Sequence, residues 1–153
     1  MTGPPVPTVH ATAVALRGRG PASWRAILLR GPSGAGKSDL ALRMIEAGGR
    51  LVADDRVHLA RQGRALVASA PRELLGLLEV RGLGIVRLLP SQLLALAPVV
   101  LLVDLVTRAR VPRLPERASE TVAGVSLPRL RLHAFDASTP VKLRLALADQ
   151  VAA

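Results

Sequence analysis

The chain has no cysteine and no tyrosine, and only one phenylalanine and one tryptophan among 153 residues. Without cysteine there is no disulfide scaffold, no thiolate-ligated zinc and no thiol nucleophile, a usage that fits a reducing compartment. With so few aromatic rings, stacking platforms for nucleic-acid bases are nearly absent. Lysine is scarce as well: Lys37 and Lys142 are the only two, so arginine carries almost all of the basic side of a formal charge of +10. The arginines are scattered rather than clustered, which argues against nucleic-acid binding and leaves attraction to an acidic protein open. The opening MTGPPVPTVHATAVALRGRG lacks the basic segment, apolar stretch and cleavage site of a secretory signal. The apolar run LLALAPVVLLVDLV is interrupted by Pro98 and Asp104 and falls short of the ~20 residues a membrane helix needs. A cytoplasmic protein with no membrane span is expected. The length fits one domain, 1–153, with the proline-rich residues 1–7 frayed.

What is present is an alternation of strand and helix patterns. HATAVALR (10–17) alternates and predicts a strand. RGRGPAS is a turn, and WRAILLRG (24–31) predicts a second strand. SDLALRMIEA (38–47) carries Leu40, Ala41, Met44 and Ile45 at helical spacing and is stopped by Gly48 and Gly49. RLVADDRVHLAR and RALVASAP predict a pair of strands around the turn RQGR. PRELLGLLEVRG predicts a short helix or helix-turn, whereas LGIVRLL and PVVLLVDLV predict buried strands. LPRLRLHAF predicts a late strand. TPVKLRLALADQVAA predicts a closing helix with two apolar stripes, Val141/Leu145/Ala148 and Leu143/Leu147/Val151. The sum is an α/β domain with a central sheet.

Between the second strand and the first helix lies GPSGAGKS, residues 31–38, which matches the phosphate-loop pattern G-x-x-x-x-G-K-[ST] at Gly31, Gly36, Lys37 and Ser38. Gly31, Pro32, Ser33, Gly34, Ala35 and Gly36 supply a turn whose main-chain N–H groups form a nest for anionic oxygens. The helix that starts near Lys37 aims its positive end at the same place. Lys37 adds a point charge for β- and γ-phosphates, and Ser38 adds a hydroxyl for Mg²⁺. A ligand-free glycine turn does not account for a lysine at that helix start.

Phosphoryl transfer also calls for a carboxylate to hold metal or to accept a proton. VVLLVD ends an apolar strand at Asp104, in the manner of a Walker-B aspartate. LVADD offers Asp54 and Asp55 side by side. If both lie on one strand, they point to opposite faces and do different work. Residue spacing alone does not choose between Asp54/Asp55 and Asp104.

GPSGAGKSDLALRMIEAGGRLVADDRV, followed by LLEVRGLGI, resembles the catalytic domain of the HPr kinase/phosphorylase family. The resemblance implies a P-loop-containing kinase domain with a central mixed sheet, similar to phosphoenolpyruvate carboxykinase. It implies an ATP- and Mg²⁺-dependent enzyme that phosphorylates a serine of the phosphocarrier protein HPr or a paralogue, so regulating a phosphotransferase system, with pyrophosphate open as a second donor. It implies that residues 31–38 hold the nucleotide phosphates, with Lys37 catalytic and Ser38 on Mg²⁺. Asp55 matches the proton acceptor for the target serine, Asp54 a position beside metal and loop, and Glu79 a second metal ligand. His10 and Arg113 match further catalytic positions, and residues 81–85 help organise the site and the partner's approach. A homo-oligomer, a hexamer in the family, is also implied.

Two departures qualify the resemblance. Longer members carry a separate N-terminal domain, so the chain resembles the short form of α-proteobacteria. The RPGRN-type loop tied to phosphorolysis is replaced by HAFDAST, which puts the reverse reaction and the hexamer in question. Competing readings are a small-molecule or nucleoside kinase, a GTPase, which would need an absent N-K-x-D motif, and a nucleotide-sensing regulator without transfer activity.

Overall fold

A computed structural model describes residues 7–18, 23–148 and 151. The frayed start expected over 1–7 lies outside these residues except for Pro7, as do residues 19–22 of the first turn. Among the described residues there are eleven strands and two α-helices.

The first predicted strand is two. Thr8–His10 (β1) and Thr12–Arg17 (β2) are separated by Ala11 and pair with different neighbours. Trp24–Arg30 (β3) pairs antiparallel with β2 and runs straight into the glycine-rich loop. Lys37–Glu46 (α1) buries Leu40, Ala41, Met44 and Ile45, the four apolar positions that its spacing singles out. The helix ends where Gly48, at φ 103°, takes a left-handed conformation that glycine reaches without steric cost.

The next expected strand is also two. Arg50–Ala53 (β4) pairs with β2, and Arg56–Gln62 (β5) pairs with β1 and with Ala65–Ser69 (β6). Asp54 and Asp55 are therefore not strand residues, as the alternation had suggested, but form the corner between β4 and β5. The Ala11 break and this corner coincide: the Ala11 N–H donates to the Asp55 carbonyl at 3.2 Å. The β1–β2 and β4–β5 segments bend together there, which curls the sheet so that β1 and β4 end up on opposite margins of the order β1-β5-β6-β9-β3-β2-β4.

Leu96–Leu105 (β9) is the central buried strand expected from PVVLLVDLV. Its first part pairs with β6 and its second part runs parallel to Val125–Leu132 (β11). PRELLGLLEVRG holds a 3-10 turn at Arg72–Leu74 and then a strand, Leu77–Val80 (β7). Gly84–Arg87 (β8) pairs only with β7 and is largely exposed, with Ile85 at 66 % exposure; the buried strand expected there is corrected. Ser119–Val122 (β10) forms an unforeseen hairpin with β11. In the closing helix, Thr139–Leu147 (α2), Leu143 and Leu147 are buried while Val141 and Leu145 are exposed. Of the expected stripe Leu143/Leu147/Val151, the first two face the core, while Val151 lies beyond the helix and is exposed.

Two apolar clusters fill the structure. One lies between the sheet and the helices, around Ile27, Leu29, Leu40, Met44, Val103 and Leu143. The other lies inside the curl and is rich in alanine, with Ala13, Ala15, Ala26, Ala53 and Ala68 around Leu28, Leu59 and Leu102. Small side chains on the concave face let the strands approach as the sheet bends. Among the described residues no helix is long and apolar enough to cross a membrane.

β3, β9 and β11 are mutually parallel. Their carboxyl ends, the start of β2 and the end of β4 converge on one edge. Ligands of open α/β sheets bind beyond the carboxyl ends of strands.

Candidate active site

At that edge a cleft of about 210 Å³ is lined by residues from five segments: Ser33, Gly34, Gly36, Lys37 and Ser38 of the loop, Asp54 and Asp55 of the corner, His10 and Thr12 of the first strands, Glu79 and Arg81 of the β7–β8 hairpin, and Phe135 beyond β11. The structure thus brings together His10, Lys37, Ser38, Asp54, Asp55 and Glu79, residues the sequence singles out from 70 positions of chain.

The loop is shaped for an anion. Gly36 sits at φ 98°, and a Cβ there would lie 2.7 Å from Ala134 Cβ and 2.8 Å from Phe135 Cζ, so both conformation and space require glycine. The Lys37 ammonium donates to the carbonyls of Gly31 at 2.6 Å and Pro32 at 3.1 Å. These two bonds hold the charge over the loop at the positive end of α1, where a phosphate is doubly favoured.

Asp54 is nearly buried and fully engaged. Its Oδ1 accepts from Thr12 Oγ1 and from Ser38 Oγ, both at 2.8 Å, and its Oδ2 accepts from the Glu79 N–H at 3.1 Å. One carboxylate therefore ties the phosphate loop, β2 and β7 to the corner. Thr12 escaped the sequence reading; a threonine in an otherwise apolar strand was the signal.

Asp55 differs in every respect. It is exposed, its backbone lies at φ 69°, and its Oδ1 is 3.0 Å from His10 Nε2. A non-glycine residue in the left-handed region stores strain of order 1–3 kcal/mol that its surroundings must offset, and such residues cluster at functional sites. Among the described residues Oδ2 of Asp55 carries no hydrogen bond. The different surroundings expected for the two aspartates are found, but a sharp corner produces them rather than strand alternation. His10 and Asp55 also line a second, shallow depression with Thr8, Val9 and Arg56. The pair stands at the junction of the cleft and that outer surface.

Asp104 is elsewhere. It lies opposite Arg30 in the β3–β9 register, and Arg30 grips it with two bonds, Nε–Oδ1 at 2.9 Å and Nη2–Oδ2 at 3.2 Å. Arg30 also holds Glu120 of β10, with Arg129 alongside. Hydrogen bonding from Arg30 keeps the Glu120 carboxyl below its ordinary range, and the bond to Glu120 raises the Arg30 guanidinium in turn. Asp104 is paired with Arg30 in this network and does not line the cleft. Arg113 lies in the exposed segment between the 3-10 turn Arg108–Arg110 and β10, and is not brought to the cleft either.

The donors facing the cleft suit a hard cation. Ser38, Asp54, Asp55 and Glu79 offer only oxygen, the ligand type of Mg²⁺. Among the described residues no three acidic or histidine side chains form a ready-made cage.

The chain is 34% identical over 149 residues to HPr kinase/phosphorylase of Limosilactobacillus reuteri (strain DSM 20016), covering 90% of this chain and 42% of that protein. It is 42% identical over 83 residues to HPr kinase/phosphorylase of Exiguobacterium sp. (strain ATCC BAA-1283 / AT1b), covering 54% of this chain and 25% of that protein. The chain thus spans less than half the length of these relatives. The fold is that of the HPr(Ser) kinase/phosphatase from Coxiella burnetii, with a TM-score of 0.78, 23% identity, and 94% and 95% of the two chains covered. Residues 6–133 match the model of the HPr serine kinase C-terminal domain, and the chain belongs to that family.

Proposed function

We propose that this chain is an ATP- and Mg²⁺-dependent serine kinase acting in the cytoplasm on the phosphocarrier protein HPr or a paralogue. One observation carries the reading. The His10–Asp55 pair stands where the phosphate-loop cleft opens onto an outer depression, so a carboxylate lies between a donor site and a surface that a protein can reach. The names of the family and of its relatives supply the partner.

The chemistry is in-line transfer. Main-chain N–H groups within residues 33–38 and the Lys37 ammonium hold the β- and γ-phosphates. The acceptor serine approaches over the outer depression, and its hydroxyl meets the free Oδ2 of Asp55. His10 engages Oδ1 and so fixes the carboxylate's orientation. The serine Oγ–P bond forms as the bond between Pγ and the β,γ-bridging oxygen breaks; the serine proton passes to Asp55 and ADP departs. Ser38 and Glu79 would hold Mg²⁺, with Asp54 orienting the Ser38 hydroxyl, and the ion would supply charge neutralisation at the phosphate oxygens. An assembled homo-oligomer belongs to the same reading. Because HAFDAST stands where the RPGRN-type loop would be, the forward kinase direction is the activity proposed.

Incubation with γ-³²P-ATP, with and without a purified HPr-type carrier, tests it. Label on a serine of the carrier supports the proposal. Label on a small metabolite, or nucleotide binding without turnover, contradicts it.

A further inference from the structure

We propose that Phe135 is the platform on which the base of the nucleotide donor stacks. The inference rests on the reading of residues 31–38 as a nucleoside triphosphate site and adds the group that grips the other end of that ligand.

The chain has only two large apolar rings, and they are disposed very differently. Trp24 opens β3, with the Arg50 guanidinium 4.7 Å and that of Arg17 6.0 Å from its ring centre. Phe135, the single phenylalanine, lines the cleft and is 53 % exposed. Leaving that much aromatic surface in water forgoes burial energy, which a ligand covering the ring would restore.

Its location suits a base. The segment 133–138 leaves the carboxyl end of β11, beside the corresponding ends of β9 and β3. The ring lies against Gly36, the residue directly before Lys37: a Cβ on that glycine would meet Phe135 Cζ at 2.8 Å. Phosphates seated on residues 31–38 thus place the sugar and base of the same nucleotide within reach of the ring.

The segment is held from several sides. The Arg43 guanidinium of α1 donates to the Ala134 carbonyl. Arg108 pairs with the Asp136 carboxylate at 2.7 Å and keeps it below its ordinary range. Thr139 Oγ1 of α2 donates to the His133 carbonyl at 2.5 Å, and His133 Nδ1 lies 2.9 Å from the Val106 carbonyl. The His133 ring meets Phe135 edge-on, centroids 5.8 Å apart. A ring anchored in this way loses little freedom when a ligand lands on it.

The test compares ATP with inorganic tripolyphosphate, which shares the phosphates and lacks the base. Calorimetric affinities of both, with Mg²⁺, are measured for the whole chain and for Phe135→Ala, Phe135→Leu and Phe135→Tyr. Loss of one aromatic–base stack is expected to weaken ATP binding about 10-fold in Phe135→Ala and Phe135→Leu. Tripolyphosphate affinity stays within about twofold, and Phe135→Tyr keeps both. ATP affinity unchanged in Phe135→Leu, or equal losses for ATP and tripolyphosphate, would mean that the ring merely props Gly36 and overturns the proposal. So does a Phe135→Tyr variant as weak as Phe135→Leu. A native chain that binds neither compound overturns this inference and the kinase reading together, whereas the preceding outcomes leave the kinase reading standing.

Discussion

The Ser38 hydroxyl donates to Asp54 Oδ1 at 2.8 Å, across 16 positions of chain, and fastens the start of α1 to the corner between β4 and β5. The bond makes the phosphate loop and the two aspartates one structural unit. What alters the corner will be felt at the loop.

The first expectation concerns that unit's stability. Asp54→Ala leaves the hydroxyls of Thr12 and Ser38 and the N–H of Glu79 without their acceptor. An orphaned buried donor costs about 1–3 kcal/mol, and Thr12 is fully buried. Urea denaturation should show a loss of at least that size. Asp54→Asn, which keeps one acceptor oxygen, should lose less.

Gly36→Ala should destabilise the chain and abolish phosphate binding together. The left-handed backbone alone costs about 1–2 kcal/mol for a residue with a Cβ, and contacts of 2.7 and 2.8 Å to Ala134 and Phe135 add to it. A thermal melt and an ATP titration of the same variant check both halves.

Acid should weaken the fold through the Arg30 network. Glu120 is held below its ordinary value of 4.5, chiefly by the hydrogen bond from Arg30. The unfolded chain then binds more protons than the folded one in the window below that value, so stability rises with pH there. It is fully present above 4.5 and is lost as pH falls through the lowered folded value. Denaturation midpoints measured on descending from pH 6 should fall, and Glu120→Gln should flatten the slope. An unchanged slope in that variant would remove Glu120 from the account.

The parts of this site that depend on contiguous residues were legible in the sequence. The loop states its own chemistry, because glycines, lysine and serine all lie within 31–38. α1 follows from a spacing that the core then uses, and β9 from an apolar run too long to be anything but central. The corner at Asp54–Asp55 was not legible, because RLVADDRVHLAR contains no glycine or proline to mark a break. The bend is forced by pairing with β1 and β2, some forty to fifty residues earlier. β8 looked buried because alternation reports period, not what covers a strand. Asp104 ends an apolar strand as a metal-binding aspartate would, but Arg30, 74 positions away, holds it, a pairing that no local pattern states. Preference for Asp54 and Asp55 over Asp104 came from family resemblance; in the fold Asp54 and Asp55 line the cleft and Asp104 does not.

Asp55 bears the central claim, and single-turnover transfer from γ-³²P-ATP to a purified HPr-type carrier by Asp55→Asn tests it most directly. The substitution keeps the side chain's size and removes its basicity. The account predicts ATP affinity within about twofold of the native chain and transfer slower by ~10²–10⁴, the usual worth of a positioned base. Transfer at the native rate, with ATP bound equally well, would contradict it.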